Sequence, residues 1–481
     1  MGIDKIILLS AIFVPTVGAF LLPFIGRVSR SARNICALIF VLVPVAASTY
    51  LISSAMAGKP VSVFYALPLG FNVNFVADGL AVFMAFASSL IGAVIVLYSF
   101  GYISHYKNQN EYYCMVVLFL GSMMGLVFSQ NLIFLYIFWE ITGIASWRLI
   151  GFYREKRDVQ RADKAFLVTV FGALLMLIGF IALALQTGSF DLGDIHAAVN
   201  GRPVSDIIVL LILCGILSKS ATLPFHTWLP DAGVAPSPVT ALLHAAVLVK
   251  IGVYVFARIF VASISFGFFW HEVFPYLIAA SALISAGAAL IETDMKRIIA
   301  YSTVSQIAFI FLGFSVGNGI GVAGALLYIL MHGFAKGGLF LCAGIVEQKT
   351  HIKDITKLGG LIATMPVTAV SFFLCAMSVM GIPPFGGFFA KYMVIQGAVN
   401  TGDMMLSLVF IIGACLTILY LFRIFNMIFL GEAKSPLAKE GDRTMVISVA
   451  FLAVLVIAGG VFISIPSDIA AVITKQIFLR G

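Results

Sequence analysis

The sequence predicts an all-α membrane protein of about 14 transmembrane helices, two of them broken, built around two inverted five-helix repeats. Three observations carry this. Of 481 residues, 61% are apolar and only 10% are charged, whereas soluble domains are about half apolar and one quarter charged. Apolar windows of about 20 residues, long enough for a helix to cross hydrocarbon, recur along the whole length. Finally, Lys219, Lys250 and Lys391 lie inside such windows, two of them near helix-interrupting prolines, in SKSATLPFHTWLPD (218–231) and GIPPFGGFFAKYM (381–393). A buried ammonium needs a partner or a hydrated cavity, and paired broken helices point to a transport site near the midplane. The combination implies an ion path.

In chain order, helices are predicted near 5–25, 34–54, 77–100, 112–129, 131–152, 163–186, 205–224, 237–261, 272–292, 297–316, 320–346, 364–396, 404–430 and 445–466. The first, IILLSAIFVPTVGAFLLPFIG, has no small-residue cleavage site and reads as a retained helix. Residues 57–76 are too interrupted by Pro and Gly to span, and their β-branched alternation predicts a surface hairpin. The seventh span is interrupted at Pro224 and the twelfth at Pro383 and Pro384. Each interruption falls three spans after the start of a five-span group (4–8 and 9–13). Five is odd, so the groups run in opposite orientation, the arithmetic of an inverted repeat. The domains expected are 1–111 (three helices and the hairpin), 112–261 (first repeat), 262–430 (second repeat) and 431–481 (last helix).

Cations assign the sides. Arg27, Arg30, Arg33, Lys107, the basic residues from Arg148 to Lys164, Lys296, Arg297, Lys349, Lys353, Lys357, Lys434, Lys439 and Arg443 fall in loops on one side. The other side and the termini hold only Lys5, Lys59, Arg202, Lys475 and Arg480. The rich side is therefore expected in the cytoplasm and both termini outside, in a bacterial or archaeal cell membrane. These loops explain the net charge of +8, and nothing supports a nucleic-acid partner. The six cysteines form no CxxC pair and read as small core residues. There is no iron–sulfur, haem or zinc spacing and no Gly-rich phosphate loop, so no cofactor is expected and NADH or ATP chemistry would occur on another subunit.

Six cations fall outside every loop: Lys219, Lys250, Arg258, Lys336, Lys391 and Arg423. Arg258 is close enough to a helix end to snorkel, and Arg423 is a second candidate. Glu140, in LIFLYIFWEITGIASW, is the one acid well inside a span. Desolvation disfavours a charged lysine while a nearby carboxylate favours it, so Lys219 with a movable Glu140 makes a proton switch. The alternative is a fixed ion pair that orients two helices. Pro224 favours the switch, since it frees carbonyls and admits water.

His244 and Lys250 share one helix about 120° apart, so they line one cavity only if it is wide or hydrated. His332 and Lys336 are four apart and share a face. Histidine titrates near neutral pH and suits a relay between lysines. Lys391 stands two turns after the Pro383–Pro384 break, where an exit gate would sit. Snorkelling towards the surface near Asn400 is the alternative for it.

These segments resemble the antiporter-like subunits of respiratory complex I, Mrp-type cation/proton antiporters and membrane-bound hydrogenases. SKSATLPFHTWLPDAGVAPSPVTALLHAAVLVKIGVY (218–254) is the most specific stretch, with FWEITGIASW, DMKRIIAYSTVSQIAFI, MHGFAKGGLF and GIPPFGGFFAK in support. The resemblance implies that Glu140 pairs with Lys219 in an input half-channel. It makes Lys250 the central transfer site, His244 and His332 parts of the polar axis, and Lys391 the output residue. Asp294 and Lys296 become structural or coupling candidates. Two departures stand out. The chain ends soon after its last predicted span, without the long lateral helix of the largest complex I member, and Lys391 stands where one class of these subunits has glutamate.

The function expected is that of a proton-translocating subunit in a redox-driven, multi-subunit membrane complex, without a redox centre of its own. Its expected partners are other membrane subunits, including homologous antiporter-like ones, the lipid bilayer, and protons or sodium. The first alternative is an Mrp-type sodium/proton antiporter subunit without redox coupling. A quinone-binding redox subunit and a structural scaffold are the others, and neither has matching ligands or explains the deep cations.

Overall fold

A computed structural model describes residues 2–68, 71–265, 267–434 and 438–480. Helices α1 (Ile3–Val28) and α2 (Arg30–Met56) precede a hairpin, β1 (Val61–Tyr65) and β2 (Val73–Ala77). Then follow α3 (Gly79–Tyr102), α4 (Gln109–Phe128), α5 (Leu132–Ile150), α6 (Lys156–Thr187), α7 (Leu192–Val199), α8 (Asp206–Lys219), α9 (Trp228–Asp231), α10 (Ser237–Ala241) and α11 (Leu248–Phe256). The second half holds α12 (Phe268–Ile291), α13 (Met295–Ser315), α14 (Gly319–Thr350), α15 (Pro366–Met380), α16 (Gly386–Asn400), α17 (Met404–Phe429), α18 (Arg443–Val461) and α19 (Ser464–Arg480). Among the described residues, twelve helices are long and apolar enough to cross a membrane. One of them, Ser237–Val261, joins α10 and α11 through π-helical turns at 242–246 and 257–261.

Capping explains several starts. Asp78, Asp294, Asn318 and Asp403 each accept a backbone N–H in the first turn of α3, α13, α14 and α17. The Ser237–Val261 helix and α14 are buried all round and form the centre. In contrast, α1, α2, α6, α12, α17 and α18 keep apolar outer faces, such as Leu167, Phe171, Leu174 and Ile178 of α6. Such faces suit hydrocarbon.

The hairpin forms as expected, with Val63 opposite Phe75. Its buried Phe75 packs on Phe13, Phe134 and Phe138. Residues 69–70 at its tip lie outside the described residues. The seventh and twelfth predicted spans are each a pair of shorter pieces, as their prolines implied: α8 stops at Lys219, and residues 381–385 separate α15 from α16.

Several expectations need correction. Lys156 to Lys164 form the first turns of α6 rather than a loop, because the helix extends beyond its apolar stretch into polar surroundings. The last predicted span ends at Val461, and α19 was not foreseen. Its mixed composition hides a helical stripe of Ala470, Ile473, Thr474 and Ile477 that is buried. Cys415 is exposed on α17 rather than in the core.

The two ends of the bundle are closed by different contacts. At one end four cations (Arg157, Arg161, Arg297 and Lys353) and four acids (Glu155, Asp158, Asp294 and Glu347) line a cavity of about 360 Å³, so segments expected on one side do meet. At the other end, the Asn72 and Asn74 amides donate to Asp191 (both 3.1 Å), and Gln476 of α19 donates to the Ala55 carbonyl (2.8 Å).

Candidate functional site

The first helix break places Lys219. After α8, Ala221 takes a left-handed backbone (φ 51°) and Leu223–Pro224 is cis. The Ser218 carbonyl accepts from Trp228 Nε1 (2.9 Å), as broken helices require when no water reaches them. Lys219, 1% exposed, donates to the Trp139 carbonyl of α5 (3.1 Å) and lies 5.2 Å from the Trp139 ring centroid. No ion pair joins it to Glu140. Both nevertheless flank Gly143, where a methyl carbon would lie 3.5 Å from Lys219 Nζ and 3.9 Å from Glu140 Oε2. They are near enough to attract and are not locked together.

The centre lies between the Ser237–Val261 helix and α14. Lys250 Nζ donates to the Ala245 carbonyl, one turn back in its own helix. It ends against Gly333, where a Cβ would come within 2.5 Å of it, so the glycine makes room beside His332. His244, in the first π-helical turn, packs on Phe340 (ring centroids 4.5 Å). Gly333 and Phe340 are two turns apart on α14, so His244 and Lys250 face one helix despite their separation in sequence. His332 packs on Tyr328 (5.7 Å). Both histidines are buried with neither ring nitrogen hydrogen-bonded, and buried polar groups without partners are rare enough to need an explanation. Lys336, fully buried, leaves the histidine face and donates to Ser302 Oγ (2.5 Å) and the Ile299 carbonyl (3.2 Å) of α13.

The second break places Lys391. Gly381 has φ 81°, Pro383–Pro384 is cis, and Gly387 and Gly460 allow backbones to touch: a Cβ on Gly460 would sit 2.0 Å from the Pro384 carbonyl oxygen. Lys391 is 4% exposed and does not snorkel. Its ammonium has no hydrogen-bond partner and lies 4.7 Å from the Phe309 ring and 5.8 Å from the Tyr328 ring. Aromatic faces attract cations most strongly when dry.

Two other residues expected to matter have defined structural places. Asp294 caps α13 through the Lys296 and Arg297 amides, while Lys296, expected in a loop, is 2% exposed and paired with Glu347 (2.9 Å). Arg258 was expected to snorkel and instead is buried against Asp78 in a two-pronged pair (2.6 and 2.8 Å) with Tyr254 beside it. The second π-helical turn carries it inward. Arg423 is half-buried and donates to the Ala289 and Glu292 carbonyls.

Sequence reasoning missed a set of neutral residues. Ser302, Gln306, Tyr328, Thr417 and Tyr420 are all fully buried and hydrogen-bonded to one another beside Lys336. The available signal was Ser302 and Gln306, four apart inside an apolar span.

Comparison with known proteins follows this geometry. The family model described as "NADH:quinone oxidoreductase/Mrp antiporter, TM" matches residues 129–417, more than half of the chain. The chain belongs to this family. A second model, for the N-terminus of chain 5 of NADH-ubiquinone oxidoreductase (complex I), matches residues 65–113.

Among curated family members, the Na(+)/H(+) antiporter subunit A1 of Staphylococcus haemolyticus is 34% identical over 94% of this chain and 60% of its own length. That of Staphylococcus saprophyticus is 35% identical over 95% and 61%. The chain thus spans about 60% of the length of these relatives. Solved structures share the antiporter-family fold. A chain of the Mrp complex from Dietzia sp. DQ12-45-1b superposes with TM-score 0.89 at 22% identity, covering 99% of this chain and 98% of that one. A chain of the membrane-bound sulfane sulfur reductase, an archaeal respiratory membrane complex, gives 0.88 at 21%, covering 98% and 97%. For respiratory complex I from Thermus thermophilus the values are 0.86 at 22%, with 99% and 100% covered.

Proposed function

We propose that this chain is the proton-translocating subunit of a multi-subunit membrane complex, moving protons along an axis of Glu140, Lys219, Lys250 and Lys391 with His244, His332 and Lys336 between them. The observation that carries the reading is the burial of four lysines and two histidines in one membrane bundle, with both histidines and Lys391 lacking hydrogen-bond partners. A structural scaffold gains nothing from such groups, whereas a path that takes up and releases protons needs side chains able to change partners. Glu140 and Lys219 form the input, where separation or approach of the carboxylate changes the lysine's hold on its proton. Lys391, with no acid beside it, forms the output.

The driving force comes from partner subunits, and two readings stand. Redox drive fits a fold shared with respiratory assemblies. Exchange against sodium is favoured by the named function of relatives at 34–35% identity. Sealed everted vesicles carrying the complete complex should acidify or alkalinise when given sodium or an electron donor. Sodium-dependent pH change selects exchange, donor-dependent change without sodium selects redox drive, and no proton movement with either overturns the reading.

The inverted repeats (112–261 and 262–430) and the orientation belong to the same proposal. Cysteines introduced in 153–163 and 347–358 should label from the cytoplasm, and those in 187–204 from outside. Labelling of all three from one side would overturn the topology.

A further inference from the structure

The neutral groups beside Lys336 form a chain of hydrogen bonds that ends at Tyr328, next to Lys391. Lys336 donates to Ser302 Oγ (2.5 Å), and Ser302 Oγ and Tyr420 Oη are 2.9 Å apart. Gln306 Nε2 donates to Thr417 Oγ1 (3.1 Å) and Tyr420 Oη (3.3 Å), while Tyr328 Oη donates to Gln306 Oε1 (2.5 Å). The Tyr328 ring lies between His332 (5.7 Å) and the Lys391 ammonium (5.8 Å).

All members but one are hydroxyls. A hydroxyl both donates and accepts and can pass a proton along. A carboxamide nitrogen only donates and offers no site for an incoming proton. Among the described residues, Gln306 is the single hydrogen-bonded link between the hydroxyls beside Lys336 and that of Tyr328. Thr417 donates to the Gly413 carbonyl (2.8 Å), so it can only accept from Gln306, which fixes the amide nitrogen on that side. Gln306 therefore joins the two sides without passing a proton between them.

We propose that Gln306 is a proton insulator: it ties Tyr328 to the Lys336 hydroxyl cluster and prevents protons from running directly between Lys336 and Lys391. This rests on the proton-path reading above. A charged Lys336 has only donors, so Ser302 must accept from it and is left to donate to Tyr420. An uncharged Lys336 has a lone pair and lets Ser302 turn back towards it. In either state Thr417 donates to the Gly413 carbonyl (2.8 Å), so Gln306 keeps its nitrogen towards Thr417 and Tyr420 and its oxygen towards Tyr328. A hydroxyl wire in place of the amide would carry protons from Lys336 as far as Tyr328, whose ring lies 5.8 Å from the Lys391 ammonium, and would dissipate the gradient the complex builds whenever Lys391 met the Tyr328 hydroxyl.

The test replaces Gln306 with a titratable side chain of the same shape. In vesicles holding the complete complex, Gln306→Glu should collapse an imposed pH gradient several-fold faster than the parent at equal abundance. Gln306→Met, which cannot relay a proton, should hold the gradient like the parent. Adding Lys391→Met to Gln306→Glu should restore tightness, because the leak runs through Lys391; a leak from damaged packing would persist. If Gln306→Glu does not assemble, Gln306→His carries the same expectation. A titratable variant as tight as the parent, or a leak that survives Lys391→Met, overturns the insulator. An inactive parent would instead overturn the underlying proton-path reading.

Discussion

The two broken helices each carry a buried lysine and hold it in opposite ways. The first break is fastened by polar groups. Trp228 bonds the Ser218 carbonyl, and Asp231, just beyond, pairs with Lys164 of α6 and Arg297 of α13 (both 2.8 Å). Its Lys219 has a carbonyl to donate to and a carboxylate nearby. The second break is fastened by close-packed glycines against α18, and its Lys391 rests on aromatic faces with no hydrogen-bond acceptor. Charge on Lys219 has the Glu140 carboxylate across Gly143. Charge on Lys391 faces the Phe309 and Tyr328 rings, whose quadrupoles attract a cation. On the proposed proton path, the contrast suits input at the first break and output at the second.

The largest effect expected from breaking this contrast is at the input. Glu140→Ala or Lys219→Ala should lower transport at least about tenfold, roughly 1.4 kcal/mol of lost stabilisation along the path, while the complex still assembles. Near-normal proton uptake by assembled variants would reduce the pair to a structural role.

Next comes the packing of the second break. Gly460→Ala forces a methyl group against the Pro384 backbone at 2.0 Å and should cost on the order of 1–3 kcal/mol as overpacking does, read as a lower unfolding temperature of the solubilised complex. Gly143→Ala, at the input, meets its nearest atom at 3.5 Å and should leave that temperature unchanged. Equal behaviour of the two would erase the distinction between polar and close-packed fastening.

The smallest effect belongs to Asp231. Burial alone would raise its pKa, but hydrogen bonds from Lys164 and Arg297 outweigh it and hold the carboxyl below its usual range. A depressed folded pKa gives stability that is complete above the unfolded value, about 3.9, and is lost as pH falls through the folded one. Asp231→Asn should therefore cost about 1 kcal/mol at neutral pH, as partly exposed pairs do, with the deficit shrinking in acid. A deficit independent of pH would show that shape, not charge, matters there.

Much of this was legible because a charge inside an apolar run is conspicuous. Lys219, Lys250, Lys336 and Lys391 stand out, as do the prolines that break their helices and the alternation of the hairpin. What stayed hidden depends on how helices rotate and meet. Arg258 finds Asp78 across 180 residues, a pairing that no local pattern contains. The inward aim of Lys391 depends on Phe309 and Tyr328, which lie on other helices. Gln306 and Tyr420 are neutral, so no charge argument singled them out, and α19 buries a stripe too short to register as a span.

The most direct test of the account lies at Lys391. Methionine keeps the length and apolar stem and fits against Phe309 and Tyr328, so the fold should tolerate it, whereas it cannot carry a proton. In sealed vesicles at equal complex abundance, Lys391→Met should block proton transport while Lys391→Glu retains part of it. Equal transport by Lys391→Met and the parent would contradict the output role and, with it, the division of labour between the two breaks.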